Sequence, residues 1–284
     1  MKKVAVVTGT STGIGLETAV SLAKVDYKVY ATMRNLDKAG PLKERINAEN
    51  LDIELAELDV ISEASVNACF EAILEREGRL DVLINNAGMG FLRTAEQATD
   101  AEISQVFETN VFGVMRCVRS VLPAMRAQHS GHLVFISSVG GLVGQPFNEI
   151  YCSSKFALEG YAETLATYLE PFFGISVSLI EPAAVASEFS NNVLSSLQQT
   201  GGFRDDAYSP IITAYLNRFR SRSGQSGQTP ADIAKVVLQT LATRPAPVRV
   251  RTSDFAEQFC HFKTETDPDG LQQTAAIRAL QLGV

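Results

Sequence analysis

The sequence predicts a single α/β domain, a doubly wound parallel sheet of about seven strands with helices on both faces. Three observations carry that expectation. Short unbroken apolar runs, the first at residues 4–7, alternate with stretches of helical spacing, as doubly buried strands alternate with crossover helices. A glycine-rich turn, Thr8-Gly9-Thr10-Ser11-Thr12-Gly13-Ile14-Gly15, follows the first run and leads into a helical pattern over 16–25. The 284 residues are 45% hydrophobic and 20% charged, enough for one large core, with no visible repeat or interdomain linker.

The elements follow in order. Strand 4–7, the glycine turn and the helix after it form a phosphate cradle: glycines let backbone N–H groups approach, and the helix dipole favours an anion. Residues 28–32 are a second strand and 37–50 a helix. A third strand at 53–60 ends in Asp59-Val60, and Ser62 caps a helix to Glu77. The fourth strand, 80–84, runs into Asn85-Asn86-Ala87-Gly88, small and amide-bearing residues that suit a loop beneath a flat ring. Thr99 opens a long helix that contains Asn110, and Pro123 and Gly131 close that unit. The fifth strand, 133–136, ends in Ser137-Ser138. A loop with Gly140-Gly141 leads to a helix carrying Tyr151 and reaching Phe173, and a sixth strand, 175–180, precedes Glu181-Pro182-Ala183. Residues 184–228 are irregular, with 221–228 polar and glycine-rich like a mobile loop, and they are expected to bind substrate. Thr229 and Pro230 start a helix to Thr243. Residues 248–250 are a seventh strand, and 252–284 form a weakly patterned C-terminal extension with a turn at Asp267-Pro268-Asp269-Gly270.

Composition narrows the function. A net charge of −7 argues against a nucleic-acid face or a polybasic anchor. Four scattered cysteines and three histidines offer no metal-ligand spacing, so no metal is expected, and the thiols fit a reducing compartment. The first apolar run is too short for a signal peptide, and none approaches a membrane span. The cytoplasm is the expected location.

The chemistry centres on Tyr151-Cys152-Ser153-Ser154-Lys155. One helical turn puts the Tyr151 phenol and the Lys155 ammonium on one face, where a cation favours the phenolate and lowers the tyrosine pKa. Alone, the pair reads far more readily as a surface tyrosine over a lysine stem, since Tyr-x-x-x-Lys is common by chance. Its neighbours change that, because ligands of such folds bind beyond the C-terminal ends of the strands. The glycine loop, Asn86, Ser138 and Pro182 all follow strand ends. At the end of the second strand, where a carboxylate would hold the ribose of NAD, stand Met33 and Arg34. A guanidinium suits a 2′-phosphate, so NADP(H) is preferred, with NAD(H) possible if Arg34 only stacks or faces solvent.

Together, Thr8-Gly9-x-x-x-Gly13-Ile14-Gly15, Asn85-Asn86-Ala87-Gly88, Asn110, Ser138 and Tyr151-x-x-x-Lys155 resemble the short-chain dehydrogenase/reductase family, with its Rossmann-type sheet, over about residues 1–190. Tyr30-Ala31-Thr32-Met33-Arg34, the run from Gly140 to Gly160 and the extended C-terminus resemble its branch of 17β-hydroxysteroid dehydrogenase type 1 and photoreceptor-type retinol dehydrogenase. The resemblance implies hydride transfer between the nicotinamide and the carbon bearing the substrate oxygen. It implies Tyr151 as the proton donor or acceptor, Ser138 as its partner on that oxygen, and Lys155 at the nicotinamide ribose. Asn110 would hold a water that links Lys155 to solvent. Gly9, Ser11, Thr12, Gly13, Ile14, Gly15 and Arg34 would border the phosphates and adenosine ribose, Asp59 and Val60 the adenine. Asn86, Ala87 and Gly88 would lie along the nicotinamide ribose, and Pro182, Val185 and Ser187 at the carboxamide. A homodimer or homotetramer through the helices near 101–128 and 152–172 is implied as well.

Two departures bear on the substrate. Pro182-Ala183 stands where the family usually has Pro-Gly, and the extra methyl is expected to narrow the nicotinamide pocket. The polar residues that hold the far oxygen of a steroid have no counterpart near Pro210 and Ala279, and Gln145 replaces an apolar pocket residue. A bulky lipophilic alcohol or ketone fits Leu142, Val143, Phe147, Phe189 and Val193, which fit ordinary core equally well. The competing class is a non-catalytic dinucleotide sensor of the same fold; the intact Ser138, Tyr151, Lys155 and Asn110 argue against it, since a pure binder needs no proton relay.

Overall fold

A computed structural model of the chain describes residues 2–222, 227–272, 275 and 279. Its seven strands are β1 (Lys3–Thr8), β2 (Tyr27–Met33), β3 (Ile53–Glu57), β4 (Val82–Asn85), β5 (Gly131–Ile136), β6 (Ile175–Glu181) and β7 (Arg249–Arg251). They form one all-parallel sheet in the order β3-β2-β1-β4-β5-β6-β7. The chain winds outward from β1 to β3, then restarts beside β1 with β4 and winds the other way. The reversal opens a crevice over the C-terminal ends of β1 and β4, where such sheets bind ligands.

Alternation along the central strands divides the core into two layers. Val4, Val6, Leu83, Leu133, Phe135, Val177 and Leu179 pack on one face with α3 (Glu63–Glu77), α5 (Gly113–Gln128) and α6 (Glu149–Phe173). Ala5, Val7, Ile84, Val134, Ile136 and Ile180 pack on the other with α1 (Gly13–Lys24), α2 (Gly40–Glu49) and α9 (Pro230–Ala242). Phe70 and Phe135 are fully buried, each stabilising the fold by roughly 1.5–3 kcal/mol.

The helices start where side chains can cap them. Ser62 accepts from Ser65 N, and Thr229 with Asp232 forms a reciprocal box. Thr99 and Glu102 form another at the head of α4 (Asp100–Phe107). A π-turn, Glu108–Phe112, joins α4 to α5 and holds Asn110.

Several boundaries differ from the expected ones. The third strand stops at Glu57, so Asp59 and Val60 belong to the turn before α3. Pro123 does not close its unit: α5 continues to Gln128, because Val118, Val121 and Met125 hold it against the sheet despite the lost backbone donor. The stretch expected to be irregular contains two helices, α7 (Glu188–Gln199) and α8 (Ser209–Arg222). Of the expected mobile loop at 221–228, Ser221 and Arg222 end α8, Gln228 bridges Val185, and 223–226 lie outside the described residues. The tail holds α10 (Asp254–Thr264), and its expected turn is present, with Gly270 N donating to Asp267 O. Residues 273–274, 276–278 and 280–284 of the expected extension also lie outside the described residues.

Candidate active site

The cradle is built by close approach. Gly9 has φ 72°, and a Cβ there would sit 2.8 Å from Ala87 Cα; a Cβ on Gly15 would overlap Gly9 O and Asn86 Nδ2. Asn86 Nδ2 donates to Thr8 O (2.8 Å) and Gly9 O (2.9 Å), while Thr8 Oγ1 accepts from Asn86 N and Ala87 N. The loops after β1 and β4 are thus one unit. Thr12 stands at the N-cap of α1 without capping it through its side chain, and the first turn has no acid. Ser11, Thr12, Gly13 and Ile14 therefore present an uncapped helix N-terminus, the arrangement an anionic pyrophosphate fits. Thr10 bonds Thr32 O through both its N and Oγ1, which brings the end of β2 alongside. Arg34, two residues on, is exposed and has no ion-pair partner among the described residues. Asp59 is half-buried, and Val60 is buried against the backbone of α5 at Gly113.

Beyond β5, Ser138 Oγ accepts from Gly140 N at 3.0 Å, and Ser138 is close enough to the Tyr151 hydroxyl to act on it. Gly140 lets the backbone come close to both: a Cβ there would lie 3.3 Å from Ser138 Oγ, Tyr151 Cε1 and Gln145 Nε2 alike, a tight fit. Burial pushes the Tyr151 phenol up to about 12, with Ser138 pulling the other way. That corrects the lowered pKa expected from the Tyr–Lys pair. Lys155 Nζ lies 5.9 Å from the centre of the Tyr151 ring and donates to Ile136 O at 2.8 Å, so burial of the phenol outweighs the cation. Burial also lowers Lys155 to about 8 against the opposing pull of Glu159.

Asn110 is fully engaged. Its Oδ1 accepts from Met89 N (2.8 Å), and its Nδ2 donates to Met89 O (2.9 Å) and Ser154 Oγ (3.0 Å). The side chain thereby fixes the segment after Gly88 against the helix of Tyr151. The π-turn pays the helix-propensity cost of placing it there, a use common for such turns.

A buried acidic group one turn beyond Lys155 is absent from the expected site. Ser137 Oγ donates to Glu159 Oε1, the charge of Glu181 at the end of β6 acts on Glu159, and Arg251 Nη1 lies 3.4 Å from Glu181. A lysine followed four residues later by a glutamate on the same helix face was the available signal. Burial first, and then the charge of Glu181, raises Glu159 well above the usual carboxylate range; burial also raises Glu181. An acid whose folded pKa is raised contributes stability that is complete below its unfolded value near 4.5 and is lost as the pH climbs through the folded value. Glu159→Gln, which keeps the shape and cannot ionise, should therefore gain stability over the natural protein as the pH rises above the unfolded value near 4.5. Each unit of raised pKa is worth about 1.4 kcal/mol, or roughly 2–4 °C in melting temperature. Thermal melts of both proteins at rising pH test it; a difference that does not grow with pH refutes it.

Over the centre lies α7. Ser187 caps it, accepting from Phe189 N, and Phe189 sets its ring 5.9 Å from that of Tyr151 at a tilt of 59°. Phe189 and Val193 also press on Gly90, where a Cβ would come 2.7 Å from Phe189 Cζ. Buried Arg93 ties the end of α7 down, bonding Thr200 O at 3.0 Å and pairing with Glu102. Arg93 was not among the expected residues, since nothing local marks an arginine as buried. Phe147 takes a left-handed backbone, φ 61°, and packs on Phe203 and Tyr215, so it joins Val193 in the apolar cluster that seats α7 and α8. Leu142 and Val143 cluster with Val139, Ala256 and Cys260 of the tail. Ala183 packs against the same cluster. Pro182 is buried, and Val185 packs on the core layer covered by α1, α2 and α9.

An uncapped glycine cradle at the sheet's reversal and a Ser–Tyr–Lys centre beside it define a dinucleotide-dependent oxidoreductase. The short chain dehydrogenase family matches residues 3–198, and the chain belongs to it. Among curated relatives, retinol dehydrogenase 8 of Bos taurus is 41% identical over 270 residues, covering 93% of this chain and 85% of its own. Estradiol 17-beta-dehydrogenase 1 of Rattus norvegicus is 37% identical over 282 residues, 96% of this chain and 80% of its own. A solved short chain dehydrogenase/reductase of Burkholderia phymatum in complex with NAD superposes with a TM-score of 0.79 at 26% identity, covering 93% of each chain. The cofactor class is a nicotinamide dinucleotide. No helix among the described residues is long and apolar enough to cross a membrane.

Proposed function

We propose that the chain is an NADP(H)-dependent oxidoreductase that interconverts a primary or secondary alcohol and its carbonyl, on a bulky lipophilic substrate. The observation that carries the reading is the juxtaposed Ser138–Tyr151 pair beside Gly140, roofed by Phe189. The residues fit the cofactor, since the Gly9 and Gly15 positions admit no side chain and the helix N-terminus is uncapped. When bound, the dinucleotide supplies or accepts the hydride.

The chain's own residues handle the oxygen and its proton. Ser138 Oγ donates to the substrate oxygen and fixes it at Tyr151. The phenol, kept protonated by burial, gives its proton as a carbonyl becomes an alkoxide and takes it back in the reverse direction. Lys155, its ammonium held by Ile136 O beside the phenol, stabilises the tyrosinate while the proton is away. Asn110 keeps Gly88 and Met89 against that lysine, and its main chain is left to hold the water through which Lys155 exchanges protons. Asn86, Ala87 and Gly88 border the nicotinamide ribose, Val185 and Ser187 the carboxamide, and Asp59 and Val60 the adenine. Phe189 and Val193 exclude water from above.

Retinoid, steroid and aromatic ketone or alcohol substrates, assayed with each dinucleotide, test the reading directly. Turnover of at least one such substrate is expected, with NADP(H) favoured; no cofactor oxidation or reduction across the set refutes it. Exposed Phe112 and Phe156 on the π-turn and α6 support pairing of two copies there, as a homodimer or homotetramer. Sedimentation at micromolar concentration should show that assembly, and a monomer contradicts it.

A further inference from the structure

Gln145 has no evident structural task. It lies in the loop before α6, half-buried, and no side-chain hydrogen bond ties down its amide among the described residues. Its backbone carbonyl serves the loop instead, accepting from Asn148 N at 3.2 Å. The amide end nevertheless comes to the reaction centre: Nε2 and Ser138 Oγ are each 3.3 Å from the point where a Gly140 Cβ would stand, with Tyr151 Cε1 at the same distance. The two polar atoms are therefore no further apart than twice that distance. A half-buried amide left without a partner is a cost that a ligand atom can remove.

We infer that Gln145 is a specificity-determining residue that donates to a second substrate oxygen, carried on the carbon next to the one that reacts. The inference rests on the proposed hydride-transfer function and narrows its substrate class. Ser138 and Tyr151 hold the reacting oxygen, and the Gln145 amide is within reach of the neighbouring substituent. Vicinal diketones, hydroxyketones and the diols made from them present an acceptor there; a ketone flanked only by hydrocarbon leaves the amide unpaired and desolvated. A site made to hydrogen-bond one oxygen discriminates against the analogue that lacks it. The apolar roof of Phe189 and Val193 is compatible with large hydrocarbon groups further out, so the expected substrate is lipophilic in bulk and polar beside the reacting carbon.

Benzil and deoxybenzoin are a matched pair, equal in skeleton and differing by one carbonyl next to the reacting one. Their kcat/KM values with NADPH are to be measured for the natural protein, Gln145→Leu and Gln145→Glu. The ratio of benzil to deoxybenzoin should fall about 10- to 100-fold in Gln145→Leu. Comparing ratios cancels the greater intrinsic reactivity of the diketone and any general loss of activity. Gln145→Glu, which keeps the size and removes the donor, should lower the ratio in the same direction and serves alone if the leucine variant does not fold. Turnover of both compounds with ratios within about twofold of the natural protein in a folded variant overturns the role of Gln145 and leaves the hydride-transfer reading standing. No turnover of either compound by the natural protein overturns the inference; the wider substrate set then decides whether the hydride-transfer reading falls with it.

Discussion

Tyr151→Phe is expected to lower kcat by about 10²–10⁴-fold, the range that a positioned proton donor contributes. The substitution is unusually clean. It removes one hydroxyl, which stands beside Ser138, and retains the ring that meets Phe189 and lies beside Lys155. Nothing in the glycine cradle touches that hydroxyl, so dinucleotide affinity should stay within about threefold of the natural protein, a difference of well under 1 kcal/mol. Single-turnover measurement of cofactor absorbance reads the chemical step, and quenching or enhancement of cofactor fluorescence reads binding. Loss of both together would point to a collapsed site; retained turnover would remove Tyr151 from the proton step. The pH profile adds a second readout. With burial holding the phenol near 12 and Lys155 near 8, carbonyl reduction by the natural protein should hold up at neutral pH, where both groups are protonated, and decline above the lysine's value.

Much of this centre was legible because the chemistry sits at strand ends, and strand ends are local features of sequence. Apolar runs located the central strands, and Thr8 to Gly15 located the cradle, since only glycine allows the contacts that Gly9 makes with Ala87 and Gly15 with Asn86. Helix caps were equally local: Ser62 and Thr229 do what their residue types suggest. What the sequence hid was long-range. Arg93 reads as a surface residue, yet it is buried against residues more than a hundred positions away. The helix α7 has apolar residues, Phe189 and Val193, that look like scatter until they meet Tyr151 and Gly90 from another part of the chain. The Tyr151 pKa was misjudged for a related reason. The expected pair put the cation first, whereas desolvation depends on everything that closes over the phenol, including a helix the sequence did not reveal.

Arg34→Ala should weaken NADPH by about 10- to 100-fold while leaving NADH within about threefold, which reverses or erases the preference for the phosphorylated cofactor. The proposal depends on where the backbone carries this side chain. In the parallel pairing of β1 and β2, Thr8 lies opposite Thr32, and Thr10 is tied to Thr32 O by two hydrogen bonds. Arg34 therefore emerges beside the turn that leads into the α1 cradle, at the side where the adenosine ribose of a dinucleotide bound there would lie. No carboxylate stands at the end of β2 to take up a ribose hydroxyl or repel a phosphate, and the exposed guanidinium has no ion-pair partner among the described residues. An unpaired guanidinium loses little by turning to a 2′-phosphate and gains two charge-assisted hydrogen bonds when it does. Salt provides a further check, because an exposed ion pair is screened: the NADPH advantage of the natural protein should shrink as ionic strength rises, and the alanine variant should show no such trend. Equal affinity changes for both cofactors would mean that Arg34 stacks on the adenine instead. An unchanged preference would place the 2′-phosphate on another group, with Thr12, exposed at the head of α1, the next residue to replace.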